Sequence, residues 1–144
     1  MFTKILVAVD GSDHSKNAVR FACDIAQKYH AALHLVHAPQ IEVGTLTLGS
    51  GMIDVMPTRE RLAAQGKSVL DTATAWAQAS GHKPEVVEVL IGDTTQSILQ
   101  YVGENGIDLI VSGSRGLGGL RGLLQGSVSQ KLTSHATCPV LTVR

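Results

Sequence analysis

Apolar residues along this chain follow two alternating patterns. Ile5–Val9 is an unbroken β-favouring run, the kind that belongs to a strand buried on both faces of a parallel sheet. Asp10-Gly11-Ser12-Asp13 follows as a turn with ready helix N-caps. From Ser15 to His30 the apolar positions Ala18, Phe21, Ala22, Ile25, Ala26 and Tyr29 recur at helical spacing, with Cys23 beside the stripe. Ala32–Ala38 reads as a second strand. Pro39–Met56 reads as a long loop, too apolar to be simply solvated, and is expected to fold over a surface or a partner.

The alternation then resumes. Thr58–Ala79 is a helix with Leu62, Ala63, Val69, Leu70, Ala73 and Trp76 on its stripe, ended near Gly81. Val86–Ile91 is a strand, and Glu88 within it points to an exposed edge. Asp93 and Thr94 open a helix that Gly106 ends, and Ile107–Ser112 is the fourth strand. Gly113–Gly126 is a glycine-rich loop, Ser127–His135 a helix and Val140–Val143 the fifth strand. Strictly alternating β and α units predict an α/β fold: a doubly wound, five-stranded parallel sheet with helices on both faces and right-handed crossovers. The natural order is 3-2-1-4-5. Its switch point lies between strands one and four, where ligands bind outside the carboxyl ends.

Length and composition agree with this picture. A chain of 144 residues suits one domain spanning residues 1–144 and can bury roughly 70% of its unfolded surface without disulfides or metal. With 44% apolar and 17% charged residues it is not disordered. The 12 Lys and Arg balance 12 Asp and Glu, and aromatics are 3%, so neither a phosphate-neutralising surface nor a base-stacking platform is expected and nucleic acid is not a predicted partner. Cys23 and Cys138 read as buried free thiols, suited to a reducing cytoplasm. No apolar run approaches the roughly 20 residues of a membrane helix, so a soluble cytoplasmic protein without membrane contact is expected.

Charge is unevenly distributed. Asp108 is the last acidic residue, and Leu109–Arg144 carries Arg115, Arg121, Lys131 and Arg144 with no carboxylate. Within that stretch, Ser112–Lys131 reads SGSRGLGGLRGLLQGSVSQK and runs from a strand end into a helix. Glycines let backbone N–H groups approach an anion, and the first N–H groups of the following helix are unpaired and lie at its positive end. Together they make a phosphate cradle, to which Ser127 and Ser129 add hydroxyls. The spacing fits neither a Walker loop nor the dinucleotide fingerprint.

Gly113-x-x-Gly116, nine residues, then Gly126-Ser127 matches the G-2x-G-9x-G-[S/T] motif, and the chain resembles the nucleotide-binding branch of the universal stress protein family over its full length. Supporting stretches are Ile5–Ser12, Gly92-Asp93, Asp108–Gly116 and Cys138–Val143. The resemblance implies the 3-2-1-4-5 sheet with ATP at its switch point; the bound form is ATP, ADP or AMP, and the glycine cradle adds the expectation of a divalent cation, Mg2+, with it. It sets Gly113 by the ribose, and Gly116, Gly126, Ser127, Val128 and Ser129 on phosphates, with Arg115 a nearby cation. Ala8, Asp10 and Ser112 line the adenosine end, and the backbone of Ala38, where the family form has Val, meets adenine. It also implies a homodimer through antiparallel pairing of the last strand, Val140, Leu141, Thr142 and Val143.

Other constellations carry less chemistry. His34 and His37 on one strand point to opposite faces, which argues against a shared metal. Ser12-Asp13-His14 are consecutive, cannot form a relay, and read as turn and capping residues. Val7–Ser12 also resembles the first strand of haloacid dehalogenase-like phosphatases, but Ala8 stands at the nucleophile position. The ATP pyrophosphatases share a related fold, yet their S-G-G-x-D-S loop is replaced here by Asp10–Ser15. Two function classes remain: a nucleotide-occupancy module of the stress response, with at most weak ATP hydrolysis and no assigned catalytic or metal residue, or a slow nucleotide hydrolase or phosphatase using Asp10.

Overall fold

Continuous apolar runs flanked by amphipathic helices leave one stable solution, and the computed structural model adopts it. It describes residues 1–41, 44–115 and 127–144. In chain order these form β1 (Lys4–Ala8), α1 (Asp13–Tyr29), β2 (Ala32–His37), β3 (Gly44–Leu48), β4 (Gly51–Val55), α2 (Arg59–Ala79), β5 (Val86–Val89), α3 (Thr94–Asn105), β6 (Leu109–Gly113), α4 (Ser127–His135) and β7 (Val140–Val143). Five strands make one sheet in the order β5-β2-β1-β6-β7, every pair parallel. This is the expected 3-2-1-4-5 order, renumbered because two strands the sequence did not predict intervene before β5.

Alternation along each strand fills two apolar layers. Ile5, Val7, Leu33, Leu35, Leu109 and Val111 pack under α1 and α2, against Ala18, Val19, Ala22, Leu70 and Ala73. Leu6, Val36 and Ile110 face the other way, toward Ile98, Tyr101 and Val102 of α3 and Leu132 of α4. Caps set the helix ends: Ser12, Thr58 and Asp93 accept from the N–H groups of Ser15, Arg61 and Gln96, and Gly106 closes α3 in the left-handed region (φ 63°). Among the described residues no helix is long and apolar enough to cross a membrane.

The segment read as a long loop is instead a β-hairpin. Leu46 pairs with Ile53 and Thr45 with Asp54, across a two-residue turn whose first residue, Gly49, has φ 62°. Nor does it fold over the rest of the chain, since every residue from Gly44 to Met56 is exposed. Its faces differ: Leu46, Leu48, Ile53 and Val55 lie on one side, and Thr45, Thr47, Asp54 and Met52 on the other. The α1 stripe also shifts. Ser15, Ala18, Val19, Ala22, Cys23 and Ala26 are its buried face, whereas Phe21 is 55% exposed and Tyr29 meets Phe2 edge-on at the surface. Cys23 is buried, which raises its thiol pKa to about 11, while Cys138 is only half-buried.

One polar pair sits inside the α3 layer. His34 Nδ1 lies 2.9 Å from the Tyr101 hydroxyl, and His34 Nε2 is buried with no partner among the described residues. Burial pushes the His34 pKa below 6.5, against the opposing pull of Glu85 and Glu88, and raises that of Tyr101. An unfolded His binds its proton near pH 6.5 and the folded one at lower pH, so stability falls as pH drops through that window and is unaffected above it. His34→Gln removes this dependence while keeping a polar partner for Tyr101. Urea unfolding of both chains at about pH 7.5 and about pH 5 checks it: the parent loses more stability than the variant, by at most ~1.4 kcal/mol per pH unit for one proton.

Candidate functional site

The winding reverses between β1 and β6, and the residues at their carboxyl ends are small. Ala8 is in register with Ser112 on β6 and with Val36 on β2. Side-chain alternation puts Ala8, Ala38 and Ser112 on the α3–α4 face, level with Leu6, Val36 and Ile110. A doubly wound sheet takes its ligands in the crevice outside the strand ends at such a reversal, which here is flanked by the starts of α3 and α4. The Thr94 hydroxyl, at the start of α3, donates to the Ala38 carbonyl at 3.3 Å. That contact leaves less of the Ala38 backbone open than the sequence implied.

Ser112 is the telling residue. It is only 4% exposed, and its Oγ has no hydrogen-bond partner among the described residues. A buried hydroxyl left unpaired costs about 1–3 kcal/mol, so Ser112, at the end of β6, is a candidate contact for a polar group of a ligand. The first turn of α4 lies on the same face. Ser127 is exposed there, while Val128 packs into the apolar layer and so offers only its backbone.

The opposite rim is a tight polar turn. Asp10 Oδ1 accepts from the Ser12 N–H (2.9 Å) and hydroxyl (2.6 Å), the Ser15 N–H donates to Ser12 Oγ, and the Asp10 N–H donates to Ser15 Oγ. One Asp10 oxygen is therefore committed to shaping the turn. Ser12 Oγ also lies 3.4 Å from the Arg115 carbonyl, which ties this turn to the chain leaving β6; Arg115 itself is half-buried. Gly113 is required by the closeness of α1. A Cβ there would sit 2.9 Å from the carbonyl carbon and Cβ of His14 and 3.0 Å from the Ser15 nitrogen.

Two expectations change. The Ser129 hydroxyl is expected as a phosphate donor, but it donates to the Ser114 carbonyl at 3.2 Å. Ser114 and His14 were missed: Ser114 Oγ is 3.0 Å from His14 Nδ1, and no linear motif brings residues 14 and 114 together. Gly116, Gly126 and Arg121 lie outside the described residues. Away from the crevice, His34 and His37 face opposite sides, toward Tyr101 and toward Val9 and Gly66, as alternation requires. An open recess lined by Gln27, His30, Leu33, His82, Lys83 and Glu85 lies at the amino end of the sheet, far from the switch point.

The Universal stress protein family matches residues 1–144. This chain belongs to that family. It is 36% identical over 149 residues to universal stress protein YxiE of Bacillus subtilis, covering all of both chains. Among solved structures, it is similar to a universal stress protein in complex with cAMP, with 25% identity, TM-score 0.74, and 99% and 97% of the two chains covered. It is also similar to a family member from Arabidopsis thaliana with AMP bound, with 25% identity, TM-score 0.64, and 98% and 90% covered.

The universal stress protein fold depends here on the approach of α1 to β6, which a single methyl disrupts. Gly113→Ala should cost about 1–3 kcal/mol, because the clash is with backbone that cannot rotate away. Gly103→Ala, in α3 with nothing within 4 Å of the new carbon, should be neutral or stabilising by up to ~1 kcal/mol. Thermal unfolding of the two variants measures the contrast.

Proposed function

We propose that this universal stress protein binds an adenine nucleotide in the crevice between β1 and β6 and acts by occupancy in the stress response. The carrying observation is the buried Ser112 hydroxyl, without a partner among the described residues, at the strand ends beside two small alanines. The AMP and cAMP complexes of the solved relatives support adenine recognition. ATP is the assigned ligand, with ADP and AMP as its shorter forms. Asp10, Ala8, Ser112 and the Ala38 backbone take the adenosine end. Gly113 takes the ribose. Gly116, Gly126, Ser127 and the N–H groups of Val128 and Ser129 take phosphates, with Arg115 as counter-charge. Mg2+ accompanies the phosphates.

Nucleotide is held rather than turned over. Fast phosphoryl transfer needs an oriented nucleophile, and the Asp10 carboxylate is spent partly on its own turn. Calorimetry with ATP should give saturable binding that Gly126→Val abolishes, because a branched side chain occupies the approach the motif reserves for phosphate. Phosphate release near the ~10 per second typical of enzymes, lost on Asp10→Asn, would instead establish a hydrolase.

The assembly is a homodimer. Among the described residues β7 pairs only with β6, and a sheet edge of this kind is a template for a second copy. Antiparallel pairing of Val140, Leu141, Thr142 and Val143 with the same residues of a partner gives an isologous two-fold contact. Phe21 lies one helical turn beyond Asn17, whose amide donates to the Arg144 carbonyl at the end of β7, so this exposed ring flanks the same seam. Light scattering should report a dimer, and Leu141→Pro, which removes an edge N–H, should give monomers. A monomeric parent at working concentration would refute the assembly.

A further inference from the structure

The nucleotide reading leaves one polar chain at the top of the sheet unexplained. It starts on α1, the helix on the far side of the sheet from α4. His14 Nδ1 is 3.0 Å from Ser114 Oγ, and Ser114 is 95% buried, being 5% exposed. Its N–H donates to the Val143 carbonyl at 2.7 Å, which anchors it to the end of β7. Its carbonyl accepts from the Ser129 hydroxyl at 3.2 Å, inside the first turn of α4. Gly113 lets this happen, since any side chain there would drive His14 away. His14 Nε2 has no partner among the described residues, so the ring acts on the protein through Nδ1 alone.

We infer that His14 is a positioning residue for the phosphate end of the site, acting through Ser114 on the first turn of α4. The inference rests on the nucleotide reading for its functional consequence, but its structural half stands without it. The direction of α4 decides where the N–H groups of its first turn point, and an anion is sensitive to that direction. Losing His14 frees Ser114 Oγ inside a buried site, and the carbonyl that steers Ser129 shifts with it. The adenosine end rests on Ala8, Asp10, Ser112, Gly113 and Ala38, and none of the hydrogen bonds of this chain ends on any of them. The signature is therefore selective: triphosphate binding weakens and adenosine binding does not.

The substitutions separate this role from a direct ligand contact. The Asn side chain presents a polar atom near the position of imidazole Nδ1, and the Gln side chain near that of Nε2. His14→Ala should weaken ATP binding by about tenfold, the upper worth of one lost hydrogen bond, with adenosine affinity within about twofold of the parent. His14→Asn should restore ATP affinity and His14→Gln should not. Ser114→Ala should match His14→Ala, and the double variant should be no worse than either, because both remove one link. A nucleotide-free readout accompanies these. Amide hydrogen exchange at Lys131, Leu132 and Thr133, which close the first turn of α4, should speed up about tenfold in His14→Ala and recover in His14→Asn.

The inference is overturned if His14→Ala leaves that exchange unchanged, if Gln rather than Asn restores ATP affinity, or if adenosine and ATP affinities fall together. If the parent chain binds no adenine nucleotide, the nucleotide reading fails by itself, and the exchange rates still decide whether His14 positions α4.

Discussion

A parallel sheet has no face it can leave to water, because its strands are joined by helices that must lie against it. Ile5, Leu6 and Val7 are all fully buried in consecutive positions, which is possible only with apolar cover above and below. Right-handed crossovers then send α1 and α2 to one face and α3 and α4 to the other. The chain must change direction once, between β1 and β6, and the crossovers leaving those two strands diverge to opposite faces. The crevice is the geometric consequence of burying five strands on both sides. No binding residue is needed to create it.

What the local sequence adds is the lining. Ala8, Ala38 and Ser112 are small where the flanking positions Leu6, Val36 and Ile110 are large, so the side chains of this layer shorten toward the strand ends. Asp10 and Ser12 knit the β1 turn, and Gly113 lets α1 press against β6. The same closeness that makes Gly113 intolerant of a methyl brings His14 onto Ser114. The α1 side and the α4 side of the sheet are thus linked by hydrogen bonds over its top edge, although their apolar layers are separate.

Most of the fold was legible because it rests on local periodicity. Runs such as Ile5–Val9 and caps such as Asp93 and Gly106 announce themselves within a few residues, and the edge position of β5 followed from Glu88. The hairpin of residues 44–55 was not read, since its three glycines resemble loop punctuation. Its signal was present all the same: Thr-Leu-Thr-Leu alternates, and Gly49-Ser50 is a two-residue turn with the first residue at positive φ. Phe21 was misassigned to the core because helical spacing does not fix how wide the buried stripe is; alanines at 18, 22 and 26 let the helix sit close and roll Phe21 outward. At the site, the strand-end residues were readable from the motif and from the strand pattern. The link from His14 through Ser114 to Ser129 was not, because its first two members are a hundred positions apart and meet only in three dimensions.

The central claim is that the ligand site is the crevice at the winding reversal, on the α3–α4 side. The most direct test is a backbone amide shift map recorded while ATP is titrated into the labelled chain. The account predicts that the perturbed amides are those at the ends of β1 and β6 and in the first turn of α4: Ala8, Asp10, Ser112, Gly113, Val128 and Ser129. Perturbations centred instead on the recess around His30 and Lys83, or on the exposed apolar face of the hairpin, would contradict it.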